Sequence, residues 1–347
     1  MASGKDDEYR TGSNRLKPTS GLKKSDPTSR AILLSKRANA FLIERARVMQ
    51  KDGRLLFLTQ RGEEIEQFFN IPYKNTAFLL LGLGTSITES AVRLLAESGV
   101  MVGFVGTGGS PLLSAVDPVF MTPQSEYRPT EYMQDWMRMW LEEPRRLAMG
   151  RQFMAVRSKW VQTAWKKNPV LSSLSASIDD ADTQKFELAV QRAQTTDEML
   201  SAEAVWSRML YARLRSAFEA NGFKRESGKR GKGSPEERIN SFLDHGNYIA
   251  YGYAAVAIYA LGISFALPVL HGKTRRGALV FDVADLFKDA IVMPLAFEMG
   301  SGNATDQEFR NELIDQCLQA EVIDTLIENI KSCIIENIHK NQIVTEK

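Results

Sequence analysis

The chain is organised around the stretch Leu267-Pro-Val-Leu-His271-Gly-Lys-Thr-Arg-Arg-Gly-Ala-Leu-Val-Phe-Asp282-Val-Ala-Asp285-Leu-Phe-Lys288-Asp289. It places His271, one of three histidines in the chain, ahead of a glycine-flanked basic loop and the start of a helix. Asp282, Asp285 and Asp289 are spaced by three and four residues, which puts them along one stripe of that helix. The neighbouring stripe is apolar, with Val283, Leu286, Phe287, Ala290 and Ile291. The carboxylates therefore lie at the edge of a buried face and need a metal or a cationic partner.

Two interpretations of this acidic stripe are open. A histidine on the preceding loop is a natural further metal ligand beside the carboxylates. Spacing alone nevertheless favours an ordinary amphipathic helix with a solvated acidic side, because His and Asp close in sequence are a weak metal signature.

Composition restricts the class of protein. The 347 residues suffice for one large or two ordinary domains, and 44% hydrophobic and 25% charged residues are typical of a soluble globular protein. A formal net charge of +2 is too small for a general nucleic-acid binder, so any DNA affinity must come from local basic patches. Cys317 and Cys333 form no CxxC pair. We therefore expect a reduced, cytoplasmic protein without structural disulfides.

Two segments could be mistaken for targeting or membrane signals. Residues 1–29 lack the apolar core of a signal peptide, and we interpret them as a disordered basic tail. Asn247–Leu270 contains no charged residue and is long enough to cross a bilayer. Its many tyrosines and alanines favour a helix packed on all sides inside the protein.

The residue pattern predicts an α+β protein with two domains. Residues 30–121 are interpreted as an N-terminal β-rich domain, and residues 122–347 as a larger all-α domain, because the periodicity changes there. Within the first domain, Ala38–Val48 is predicted as one strand before a hairpin turn at Lys51-Asp-Gly53. Thr76–Leu81 is predicted as a buried strand.

Details of helix ends are also predicted. Thr85 or Ser86 is expected to cap the helix that runs to about Ser98. The charged, amphipathic sequence from Asp306 to about Lys340 is interpreted as a single C-terminal helical tail.

The glycines do not indicate a nucleotide site. Gly82-Leu-Gly84 opens a helix, as a dinucleotide fingerprint does, but the third glycine is absent. The sequence contains no GxxxxGK[ST] motif. A glycine-permitted turn is therefore the preferred interpretation.

Glu203 is a candidate buried carboxylate. It lies three residues before Trp206 and seven before Leu210, so its side chain falls on the inward face of the predicted helix Asp197–Ala220. Leaving it unpaired would cost on the order of several kcal/mol. It therefore needs an arginine, a lysine or a metal, and the sequence does not separate a structural salt bridge from a metal ligand.

A basic loop precedes the uncharged helix. Its cations include Lys224, Arg225, Lys229, Arg230 and Lys232, interspersed with glycines. It is either a solvated connector or an arm that contacts phosphates.

Five segments together, in order and spacing, resemble the family of CRISPR-associated adaptation integrases, often called "Cas one". They are Asn70–Thr88, Val102–Pro111, Ala202–Tyr211, Asp244–Tyr253 and the opening stretch. The second and fourth look most like the variant of type I systems, subtype F. The resemblance covers roughly residues 30–300 and is far more specific than any single motif.

The resemblance implies a function and an assembly. The family's metal-dependent DNA integrases and endonucleases insert short foreign fragments, the spacers, into a CRISPR array for antiviral defence. They form homodimers through their β domains. Two dimers flank a small ferredoxin-like partner, which in subtype F is fused to a helicase-nuclease. The resemblance implies no nucleotide cofactor.

The resemblance also implies site residues. The metal ligands fall on Glu203, His271 and Asp285, which would hold Mg²⁺ or Mn²⁺. Asp282 matches a second acidic position near the metal, and Lys288 a basic residue near the same site. All five are predicted catalytic residues.

Other residues are predicted DNA contacts. Lys273, Arg275 and Arg276 follow His271 directly and are placed to hold phosphates beside the scissile bond. The cations of the basic loop would hold more distant backbone. Tyr248 is more typical of a core residue, although the resemblance also favours a position close to DNA.

Two rival functions remain. One is a metal-dependent nuclease for branched DNA in repair, with water as nucleophile. The other is a non-catalytic DNA-binding scaffold in which Glu203 and Asp285 are merely salt-bridged.

Overall fold

A computed structural model describes residues 32–60, 66–106, 119–123, 129–226, 233–271 and 277–339. These described residues belong to one compact unit. The predicted tail at residues 1–29 lies outside the described residues.

Two four-stranded sheets form the N-terminal region. The strands are β1 (Asn39–Ile43), β2 (Ala46–Lys51), β3 (Arg54–Gln60), β4 (Glu66–Ile71), β5 (Thr76–Leu81), β6 (Ser86–Ile87), β7 (Met101–Phe104) and β8 (Val119–Met121). One sheet has the order β1-β5-β7-β8 and is parallel except for β8. The other has the order β4-β3-β2-β6, antiparallel except for β6. Helix α1 (Glu89–Glu97) follows β6.

Strand β5 joins the two hydrophobic cores. Every residue of β5 is buried, as expected of a strand covered on both faces. Phe78 and Leu80 belong to the core shared with the helices, whereas Leu79 and Leu81 belong to the core of the β region. This alternation follows from the two-residue period of a strand.

The predicted hairpin is confirmed, but the predicted long strand is wrong. Asp52 and Gly53 both have positive φ, as a tight two-residue turn requires. Arg45 also has a positive φ of 50°, and this corner sends β1 and β2 into different sheets. The period-2 pattern of the sequence does not reveal this corner.

The predicted cap of α1 is also wrong. Ser86 pairs with Arg47 in the short strand β6, so it is not available as a cap. The cap is Thr88, whose hydroxyl accepts the backbone N–H of Ala91 at 3.4 Å.

The described residues after β8 are mostly helical, which confirms the predicted fold class. The helices are α2 (Glu131–Leu141), α3 (Glu143–Lys167), α4 (Pro169–Ser173), α5 (Asp180–Arg192), α6 (Thr196–Ala217), α7 (Pro235–Ala260), α8 (Ala278–Ser301), α9 (Asp306–Gln319) and α10 (Val322–His339). The predicted single C-terminal helix is wrong, because Glu321 has a φ of 46° and separates α9 from α10. The division into domains 30–121 and 122–347 stays a prediction.

Helices α7 and α8 pack against each other at the centre of the helical region. Every residue of α7 from Ile249 to Tyr259 is buried, as is α8 from Ala278 to Phe287. The interpretation of the uncharged segment as a packed internal helix is confirmed over α7. Among the described helices, none combines the length and apolar character that crossing a membrane needs.

We expect Gly252→Ala to destabilise the protein. A Cβ at Gly252 would lie 2.5 Å from Phe78 Cε2, where α7 meets β5. Alanine favours a helix over glycine by about 1 kcal/mol. Overpacking typically costs about 1–3 kcal/mol, so we expect a net loss in the free energy of unfolding, measured by denaturant titration.

Gly302→Ala is the matched control for this prediction. The nearest atom to a Cβ at Gly302 is Met299 O at 3.5 Å, an ordinary contact. We expect little change there, and equal effects at both positions would contradict the packing argument.

Candidate functional site

A buried carboxylate holds the loop that carries His271. Asp282 Oδ2 accepts the backbone N–H groups of Val269 and Leu270 at 2.6 and 3.0 Å. Asp282 Oδ1 accepts the N–H of His271 at 3.0 Å and lies 2.7 Å from His271 Nδ1. In the neutral imidazole, Nδ1 then carries the proton and Nε2 is left as an acceptor. Such a carboxylate–histidine contact is typical of metal sites, where it fixes the ring orientation.

Asp285 lies beside this histidine. Its Oδ2 is 3.9 Å from His271 Nε2, and its Oδ1 forms an ion pair with the Lys288 ammonium. The Lys288 ammonium also lies 5.8 Å from the ring centroid of Tyr251. Lys288 therefore occupies Oδ1, whereas Oδ2 is the oxygen nearer the histidine.

Arg157 on α3 completes the cluster. Its side chain is 4% exposed, and its Nη1 donates to Glu203 Oε1 at 2.6 Å. Its Nε and Nη2 contact Asp289 Oδ2 at 2.7 and 2.5 Å. The cation that Glu203 required is thus an arginine in this structure.

Arg157 is not among the site residues predicted from the sequence. A signal was present, because Arg157 follows the buried Phe153 by four residues and precedes the buried Val161 by four. A charge on the inward stripe of a helix needs a buried partner. The sequence alone does not show that Glu203 and Asp289 are those partners.

Charge pairing outweighs burial at three groups of this cluster. Burial lowers the pKa of Arg157, but the charges of Asp289, Glu203 and Asp285 raise it above its ordinary value. Burial likewise lowers the pKa of Lys288, and Asp285 more than offsets it. Burial raises the pKa of Asp285, but Lys288 and Arg157 hold it below its ordinary value. These three groups are therefore charged at neutral pH.

The donors of the cluster suit a hard divalent ion. The predicted ligands supply carboxylate oxygens and one imidazole nitrogen, a set compatible with Mg²⁺ or Mn²⁺. His271 Nε2 is oriented as an acceptor and lies 3.9 Å from Asp285 Oδ2, which fits an ion near these two atoms. No group of three His, Cys, Asp or Glu side chains within the described ranges converges closely enough to hold an ion. Glu203 contacts Arg157 instead.

Comparison with known proteins identifies the family. Residues 41–332 match the family model of the CRISPR associated protein Cas1. This chain belongs to the Cas1 family. The CRISPR-associated endonuclease Cas1 of Pseudomonas aeruginosa (strain UCBPP-PA14) is 42% identical over 310 residues, which cover 87% of this chain and 94% of that protein. That relative also fits the subtype F part of the resemblance.

Solved Cas1-like structures share the fold. A TtCas1–DNA complex has a TM-score of 0.60 and 22% identity, and the alignment covers 85% of this chain and 91% of that one. A casposase bound to its integration product has a TM-score of 0.67 and 15% identity, with coverage of 86% and 91%. At these identities the likeness shows the Cas1 fold alone.

Only some of the predicted DNA contacts of this Cas1 family member lie among the described residues. Lys273, Arg275, Arg276, Lys229, Arg230 and Lys232 lie outside the described residues. Lys224 is exposed, whereas the Arg225 guanidinium donates to Asp244 Oδ1 at 2.5 Å and to Asn240 Oδ1 at 3.2 Å. Arg225 thereby anchors the start of the basic loop to α7. Tyr248 is half-buried and packs edge-on against Tyr251.

We expect His271 to titrate above its ordinary pKa of 6.5 in metal-free protein. Burial lowers this pKa, but the hydrogen bond to Asp282 and the charges of Asp285, Asp282 and Glu203 raise it overall. Protonated His271 then stabilises the fold below about pH 6.5, and this contribution is lost as the pH rises through the folded-state pKa.

Asp282→Asn tests that assignment. We expect the variant to lower the pKa of His271 and to reduce the free energy of unfolding most at acid pH. The pKa is measured by NMR titration of the ring, and stability by denaturant titration across the same pH range. A wild-type His271 that titrates at or below 6.5 would refute the prediction.

Proposed function

We propose that this Cas1 family member is a metal-dependent DNA integrase and endonuclease that inserts short foreign fragments into a CRISPR array. The observation that carries the proposal is the His271–Asp282 contact beside Asp285, on the packed helix α8 of a Cas1 chain. The similar protein from Pseudomonas aeruginosa is a CRISPR-associated endonuclease, which supports endonuclease activity here. The fold is also shared with a casposase bound to its integration product.

Glu203, His271 and Asp285 would hold a Mg²⁺ or Mn²⁺ ion. Once bound, such an ion lowers the pKa of a coordinated hydroxyl and stabilises negative charge on a phosphoryl group. Asp282 keeps His271 Nε2 available as a lone-pair donor and holds the loop in place. Lys288, already beside Asp285, supplies positive charge next to the reacting phosphate. Asp282 and Lys288 therefore act by positioning and by charge.

The proposed reaction balances without a nucleotide cofactor. The 3′-hydroxyl of the incoming strand loses its proton as its oxygen forms a new bond to phosphorus in the target strand. The bond from that phosphorus to the departing 3′-oxygen breaks, and that oxygen takes up a proton. One phosphodiester is formed for each one broken. With water as nucleophile, the same residues would perform hydrolysis, which accounts for an endonuclease activity.

The proposed partners are duplex DNA and other protein subunits. Lys224, together with the cations at 229–232 and 273–276, would contact DNA phosphates, which predicts salt-dependent binding. Homodimerisation is proposed through the β region, where the edge strand β4 exposes Phe68 and Phe69 by 52% and 42%. The proposal also includes a ferredoxin-like partner that is fused to a helicase-nuclease. The proposed location is the cytoplasm.

We expect Glu203→Ala, His271→Ala and Asp285→Ala each to abolish strand joining. Each change removes one predicted ion ligand, while the cations proposed to contact DNA are unchanged. The assay incubates protein, Mn²⁺ or Mg²⁺ and labelled duplexes with free or blocked 3′ ends. The expected products are longer than the input and require the free 3′-hydroxyl, the metal and all three residues.

Asp197→Asn is the matched control on α6, because Asp197 is an exposed acid in the first turn of the same helix. It should join strands like the wild type. Metal-dependent shortening without joining would favour the repair nuclease. Lack of either product would be retested with the ferredoxin-like partner, and failure there would favour the scaffold.

A further inference from the structure

The Arg157 guanidinium connects three helices at the site. It reaches from α3 to Glu203 and Ser207 on α6 and to Asp289 on α8. The Asp289 side is held by two nitrogens, Nε at 2.7 Å and Nη2 at 2.5 Å from Oδ2. Because the guanidinium is planar, fixing two of its nitrogens also fixes the direction of Nη1.

That fixed direction constrains Glu203. A glutamate has several rotatable bonds, yet Nη1 holds its Oε1 at 2.6 Å within a buried environment. Within the described residues, Glu203 Oε2 forms no hydrogen bond or ion pair. One oxygen of this carboxylate is therefore restrained and the other is available.

We propose that Arg157 is a positioning residue that orients Glu203 for the divalent ion, holding Oε1 and leaving Oε2 to coordinate. The inference rests on the proposed function, because it assumes that an ion binds near Glu203. Asp289 serves as the anchor that keeps the guanidinium in place. Arg157 would then act on the ion only through Glu203.

The alternative is that Arg157 is merely the counter-ion of the buried Asp289. Substitution by lysine separates the two roles, because lysine keeps the charge but lacks the planar fork. A counter-ion role is largely preserved by Arg157→Lys. A positioning role is not, because one ammonium does not hold Asp289 and Glu203 in fixed relative geometry.

The test is calorimetric titration of Mn²⁺ into the metal-free, full-length protein. We expect Arg157→Lys to weaken Mn²⁺ binding by roughly 10-fold or more, the range found when residues that orient metal ligands are changed. Asp289→Asn removes the anchor's charge while leaving Arg157 and Glu203, so we expect a smaller but measurable weakening. It provides a second test if Arg157→Lys does not fold, as checked by thermal unfolding in chelator.

Arg213→Lys is the matched control, because Arg213 on α6 also forms an ion pair with a helix-borne aspartate, Asp182. It should bind Mn²⁺ like the wild type. In a Glu203→Gln background, Arg157→Lys should cause no further weakening, since its effect passes through Glu203.

The outcomes separate the two proposals. A folded Arg157→Lys protein with wild-type Mn²⁺ affinity overturns the positioning role and leaves the proposed function intact. So does an equal loss in the Glu203→Gln background, because the effect would then bypass Glu203. A wild type that binds no Mn²⁺, or binds it independently of Glu203, overturns the assigned ligand set and the positioning role together.

Discussion

The structure depends on charge balance along the buried face of α8. Asp282, Asp285 and Asp289 are buried at the centre of the protein. Removing the partner of a buried carboxylate costs about 3–5 kcal/mol of folding free energy. Asp282 is paired with backbone N–H groups and an imidazole, Asp285 with a lysine, and Asp289 with an arginine. Among the described residues, the carboxylates of this cluster, Glu203 included, outnumber the cations Arg157 and Lys288 that pair with them. This excess of carboxylates suits a divalent cation.

Local periodicity predicts the parts of the site that lie close together in sequence. The stripe of aspartates on α8 and the inward direction of Glu203 follow from the helical repeat. The aspartates are buried, and the Glu203 side chain is 15% exposed. The fold class and the strand β5 follow from the spacing of hydrophobic residues along the sequence. These features involve residues within one or two turns, or one strand, so the sequence contains them directly.

The rest depends on contacts that a local pattern does not contain. Arg157 is separated from Asp289 by 132 residues, so its partner is set by how α3 packs against α8. The corner at Arg45 and the break at Glu321 are positive-φ residues other than glycine, which have no distinctive sequence signal. A sequence motif also does not predict the contacts of Asp282 with backbone N–H groups, because it specifies residue types and not the path of the backbone.

The long separation of Arg157 from Asp289 has a consequence for synthesis on the ribosome. The contacts of Asp282 with residues 269–271 span 11 to 13 residues, so both sides of each contact leave the ribosome close together in time. Helix α3, in contrast, emerges long before α8, so the Arg157 charge has no Asp289 to meet until most of the chain has been translated. In a nascent chain that ends before Asp289, the Arg157 guanidinium therefore lacks one of its two carboxylate partners.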